Sequence, residues 1–81
     1  MLLVIEVGDT TAAADRAVKI PLYAEAGIRE VWLVDLTAGR VEAYRMPRAG
    51  AYRDRFTLER GASLAPESFP DLALRAEELL G

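Results

Sequence analysis

The chain has 81 residues, 52% of them hydrophobic and 28% charged, with a net charge of −3; this is one domain at most, globular rather than disordered. It contains no cysteine and no histidine, which excludes a disulfide framework, a thiolate nucleophile and the usual zinc sites, so any bound metal is held by oxygen. The apolar opening has no basic start and contains Glu6, and no run approaches the ~20 residues of a membrane span, so the expectation is a cytoplasmic protein with no membrane role.

In chain order, residues 2–7 form a short apolar run with β-branched members and read as a strand covered on both faces. Gly8 and Asp9 break it, and Asp9, Thr10 and Thr11 are candidate helix N-caps. A helix follows over about 11–26, stopped by Gly27 at the C′ position. Its spacing turns Ala14, Val18 and Leu22 toward the sheet, with Asp15, Lys19 and Tyr23 in the adjacent row. Pro21 removes one backbone bond and predicts a kink or two short helices. Residues 28–36 form a second apolar strand ending near Asp35, and strand, helix, strand at this spacing predicts a crossover with the two strands parallel.

Residues 37–39 make a tight turn, 40–46 a strand, 47–50 a loop, and 52–58 a strand in which apolar and polar positions alternate. Residues 59–69 are turn-rich, and Pro70 opens a last helix over 71–80. The fold class is therefore α/β: a mixed sheet made from a strand-helix-strand crossover, an antiparallel meander and a C-terminal helix.

Charge is unevenly spread. Residues 40–60 hold six arginines against three acids, and the rest of the chain has four cations against ten acids. A basic hairpin on an acidic body suits phosphate contact; a solvated hairpin in an arginine-preferring chain is the plain alternative.

Three residues stand out for chemistry. Glu6 ends a strand, where open α/β sheets bind ligands, and a partly buried carboxylate there needs a cation or several donors. It serves either such a site or an ion pair to Lys19 or Arg16. Lys19 is the only lysine beside nine arginines; a compact ammonium can approach a nucleophilic water or a phosphate in a way a planar fork cannot. Asp35, at the end of the second strand, either caps the following turn or stands as an acid behind the site. Trp32 and Tyr23 read as core rather than as platforms for a base.

With Glu6-Val7, the loop Gly8 to Thr11, Asp15-Arg16, Lys19, residues 22–28 (LYAEAGI), residues 32–35 (WLVD), 41–45 (VEAYR) and 74–80 (LRAEELL) in hand, the chain resembles the Uma-type family of restriction endonucleases, in the PD-(D/E)XK nuclease-like superfamily. The resemblance implies a restriction-endonuclease-like core and magnesium-dependent (or manganese-dependent) hydrolysis of DNA. It assigns Glu6 and the Val7 carbonyl to the metal and Lys19 to the attacking water. Asp35 is then an acid behind the metal, and Arg16, Arg45, Arg53 and Arg55 are expected phosphate contacts. The family also carries an aspartate shortly before the glutamate, and Met1 to Ile5 contain no acid. Residues 1–81 are therefore expected to be the C-terminal part of a longer domain, either short of upstream elements or a homodimer. The alternative is an inactive remnant serving as a dimerisation or protein-interaction module.

Overall fold

The computed structural model describes residues 3–8 and 12–81. Strand β1 (Val4–Gly8) leads through helix α1 (Ala12–Glu25) to strand β2 (Glu30–Asp35), which lies parallel to β1 with Val4 opposite Val31 and Gly8 opposite Asp35. Strands β3 (Arg40–Arg48) and β4 (Ala51–Glu59) add antiparallel neighbours, giving the sheet order β1-β2-β3-β4. A two-residue pair, β5 (Ser63–Leu64) with β6 (Leu74–Arg75), then introduces the short helix α2 (Ala76–Leu80). The mixed α/β architecture expected from the sequence is the one observed.

All six residues of β2 are buried, as a central strand rich in Val, Leu and Trp demands. Its pleat divides the core. Val31 and Leu33 meet Ile20 and Tyr44, with Val4, Tyr23, Ile28 and Tyr52 packed against them on the α1 side. Trp32 and Val34 meet Val41, Ala43, Leu58 and Ala76 on the α2 side.

Local chemistry sets the element ends. Gly27 takes a φ of +77°, while its N–H reaches the Ala24 carbonyl and the Ile28 N–H reaches the Tyr23 carbonyl; these paired bonds form the Schellman stop expected of a C′ glycine. Ala49 and Gly50, at φ +54° and +78°, form a two-residue primed turn whose twist matches the strands it joins. The hairpin is therefore longer, and its loop shorter, than the Pro47 to Gly50 loop read from the sequence. Pro47 fits because β3 has run past the start of β2 there, where its missing N–H costs no ladder bond.

Four expectations are corrected. Helix α1 turns Ile20 and Ala24 inward and leaves Val18 and Leu22 exposed at 61% and 57%, with Ala14 also exposed. The reason is the sheet below: Glu42 is buried there, and the inward turn brings Arg16 onto it. An uncompensated buried charge costs about 3–5 kcal/mol, and Ile20, Tyr23 and Ala24 make up much of the apolar burial forgone. Strand β1 is covered on one face only, with Ile5 and Val7 exposed, because α2 and the β5–β6 pair lie over β2, β3 and β4. Residues 71–75 do not continue the last helix, since Leu74 and Arg75 pair with Ser63 and Leu64 and the Ala76 N–H bonds the Ala62 carbonyl. Of the two outcomes expected at Pro21, two short helices are overturned, since α1 runs through it as one element. The capping expectation for Asp9, Thr10 and Thr11, and the side chain of Asp15, lie outside the described residues.

Candidate functional site

Glu6 projects from β1 toward α1, where its carboxylate is held from two sides. The Tyr23 hydroxyl donates to Oε1, and Lys19 Nζ lies 3.6 Å from Oε2. Lys19 and Tyr23 are four residues apart on α1 and so share a face. About a quarter of the Glu6 side chain and half of the Lys19 side chain stay exposed, so the pair borders solvent rather than filling the core. The Gly8 carbonyl accepts from the Leu36 N–H of the neighbouring chain segment. Strand alternation therefore turns the Val7 carbonyl the other way, toward the outer edge of β1.

Next to this pair stands a cluster that the sequence reading missed. Glu6 is in register with Leu33, and Leu33 with Glu42; two strand spacings place Glu42 roughly 10 Å from Glu6 on the same face. Glu42 is 1% exposed. Arg16 grips it with both prongs of the guanidinium, Nε to Oε1 at 2.8 Å and Nη2 to Oε2 at 2.7 Å, and the Tyr44 hydroxyl also donates to Oε1. Arg16 Nη2 reaches on to Asp35 Oδ2 at 3.3 Å.

Burial opposes ionisation of Glu42. The Tyr44 hydroxyl, the Arg16 fork and the field of Arg55 outweigh it and hold the carboxyl below its ordinary range. The same contact raises Arg16, chiefly through its hydrogen bond to Glu42. Burial, together with the bond to Glu42, pushes Tyr44 up to about 12. The signal for this cluster was present in Val41-Glu42-Ala43-Tyr44, an acid set among apolar residues in the middle strand of a meander.

The remaining expected residues are dispersed. Asp35 caps the turn, its Oδ1 accepting the Ala38 N–H at 3.0 Å, while also receiving Arg16. Arg45 lies on the opposite face, where its Nε is 2.8 Å from buried Glu30 and its guanidinium stacks 5.3 Å from the Phe56 ring. Glu30 also accepts from Trp32 Nε1 at 2.6 Å and from the Glu67 N–H at 2.7 Å, so its charge is fully partnered. Arg53 and Arg55 are exposed on β4, and of the two Arg55 stands opposite Tyr44, where its field reaches Glu42. The structure thus brings together Glu6, Lys19 and Tyr23 on one side, and Arg16, Asp35, Glu42 and Tyr44 beside them.

Among the described residues, no group of three or more acidic, histidine or cysteine side chains gathers as a metal-holding set, and no helix is long and apolar enough to cross a membrane. A family model, Uma2, described as “Putative restriction endonuclease”, matches residues 1–77. No curated protein and no solved structure matches the chain.

Proposed function

The chain belongs to the Uma2 family, and from that premise we propose that it contributes the glutamate and lysine of an endonuclease site that hydrolyses phosphodiester bonds in DNA. The observation that carries this reading is the pairing of the chain's one lysine with a solvent-bordering carboxylate, at 3.6 Å. A purely structural pair would be served as well by arginine, which this chain uses at its other nine cationic positions.

Restriction endonuclease-like families use divalent metals, and magnesium or manganese is the proposed ion here. Hard oxygen donors suit such an ion. Glu6 and the Val7 carbonyl would hold it, and when bound it would neutralise charge on the phosphate. One carboxylate is a short set, so a further acid from outside the described residues is proposed to complete it. On this view residues 1–81 act within a larger restriction-endonuclease-like domain.

The chain's own residues have separable tasks. Tyr23 fixes the orientation of the Glu6 carboxylate by donating to one oxygen, which makes it a positioning residue. Lys19 places a compact positive charge beside the other oxygen, where it can orient a water and stabilise charge developing on phosphate oxygens. Asp35 is proposed to act indirectly, by holding Arg16 and the turn after β2 in place.

The test is DNA cutting with magnesium by the natural full-length protein and its Lys19→Ala and Lys19→Arg variants. Loss of one such charge-stabilising donor predicts a fall in rate of about 10²–10³-fold for Lys19→Ala with unchanged circular dichroism, and little rescue by arginine. Undiminished cutting by Lys19→Ala overturns the assignment.

A further inference from the structure

Arg29, Arg48 and Arg53 line one open pocket of about 760 Å³, together with Met46, Pro47 and Glu67. They come from three places: the turn between α1 and β2, the end of β3, and β4. The Tyr52 hydroxyl ties these together by donating to the Ile28 carbonyl at 2.6 Å. Met46, at a φ of +59°, bends β3 at the pocket wall in a backbone region that costs a non-glycine residue of order 1–3 kcal/mol.

These arginines differ from others in the chain. Arg16 is spent on Glu42 and Asp35, Arg45 on Glu30, and Arg75 on Glu77. The side chains of Arg29, Arg48 and Arg53 make no hydrogen bond or ion pair among the described residues. Three like charges gathered round one concavity, against the single carboxylate of Glu67, are an arrangement that an anion would relieve. Guanidinium forks match phosphate oxygens two at a time. Three exposed forks on separate elements suit a run of phosphodiesters better than one enclosed anion.

Position supports the same occupant. Lys19 and Tyr23 lie on α1, and Gly27, two residues past its end, borders the pocket. The six residues from Lys19 to the end of α1 at Glu25 span roughly 9 Å at helical rise, so the pocket opens just beyond the end of α1, a short distance from Glu6 and Lys19.

We propose that this pocket seats backbone phosphates of a nucleic-acid strand and leads that strand past Glu6 and Lys19. The inference deepens the endonuclease reading and rests on it for the choice of nucleic acid as the ligand. The experiment is fluorescence anisotropy with a labelled DNA oligonucleotide in chelator, so that no cutting occurs, across a range of salt concentrations. The variants are Arg29→Gln, Arg48→Gln, Arg53→Gln and the triple change, with Arg60→Gln as a control for net charge. Arg60 stands apart from the pocket, 3.4 Å from the Gly81 carbonyl.

Each pocket change is expected to weaken binding and to reduce the salt slope by about 0.7–0.9, and the triple variant to bind roughly tenfold or more weakly. Arg60→Gln is expected to shift affinity little. Unchanged affinity and slope in the triple variant overturns the proposal. Saturable binding of inorganic phosphate that these arginines govern, without binding of DNA, also overturns it and reassigns the pocket to a small phosphate ligand. Pocket-dependent DNA binding by a protein that never cuts would leave this inference standing while the endonuclease reading fell.

Discussion

Arg16 is the residue on which the α1 face closes. Both prongs of its guanidinium are on Glu42, which is 1% exposed, and removing one partner of such a pair leaves a charge without compensation. Arg16→Ala should cost about 3–5 kcal/mol, a large share of the roughly 4–12 kcal/mol available to a chain of this length. Replacing the cluster together, Arg16→Met with Glu42→Leu and Tyr44→Phe, should recover most of that loss, because an apolar set of similar volume leaves neither a charge nor the Tyr44 hydroxyl uncompensated. Urea unfolding of the two variants checks this, and equal loss in both would show that the ion pair is not what the fold depends on. Lys19 and Glu6 are the contrasting case: partly exposed and 3.6 Å apart, they contribute little to stability, which leaves their arrangement free to serve chemistry.

At the scale of elements, α1 gives the sharpest contrast between pattern and packing. Val18 and Leu22 are exposed at 61% and 57%, whereas Ile20 is 8% exposed. Ile20→Ala should therefore cost about 2–5 kcal/mol, and Val18→Lys or Leu22→Gln less than about 0.5 kcal/mol; thermal melting distinguishes them, and a reversed order would mean the helix sits the other way round. The strands, the crossover and the hairpin were legible in the sequence because runs such as Val31 to Val34 and the alternation around Phe56 have a single reading. The helix face was not, because apolar residues occur all round α1 and periodicity alone selects no side. The choice falls to Glu42, which lies 26 residues from Arg16. The C-terminal helix was over-read for a related reason: Leu72 and Leu74 suit a helical stripe, but pairing with Ser63 and Leu64 claims Leu74 and Arg75 for a strand. In the candidate site, Glu6 and Lys19 were legible as rare residue types at chosen places. The Arg16, Glu42 and Tyr44 cluster was not, since Val41-Glu42-Ala43-Tyr44 marks only its β3 half and the partner on α1 lies 26 residues away.

Across the whole molecule these groups define a pH window. Glu42 is held below its ordinary value near 4.5 because Tyr44 and Arg16 outweigh the burial that opposes its charge. Its contribution is therefore present above about that pH and lost as pH falls through the folded value. Tyr44 and Tyr52 are both pushed up to about 12, first by burial. Their contribution is complete below their ordinary value of 10.0 and lost as pH rises toward 12. The urea midpoint should thus decline on both sides of a plateau. Glu42→Gln should flatten the acid limb and Tyr44→Phe with Tyr52→Phe the alkaline one; limbs that persist unchanged would place the titrating groups elsewhere. The molecule is also thin, 17 Å in its shortest dimension, and β1 is the strand at the sheet margin, laddered to β2 alone among the described strands. Glu6 rides on that margin while its partners ride on α1. Opening of β1 alone would part the carboxylate from the lysine while the β2–β3–β4 meander remained native. Heat or mild denaturant would then silence such a site by a local breath of the sheet, well before the protein melts.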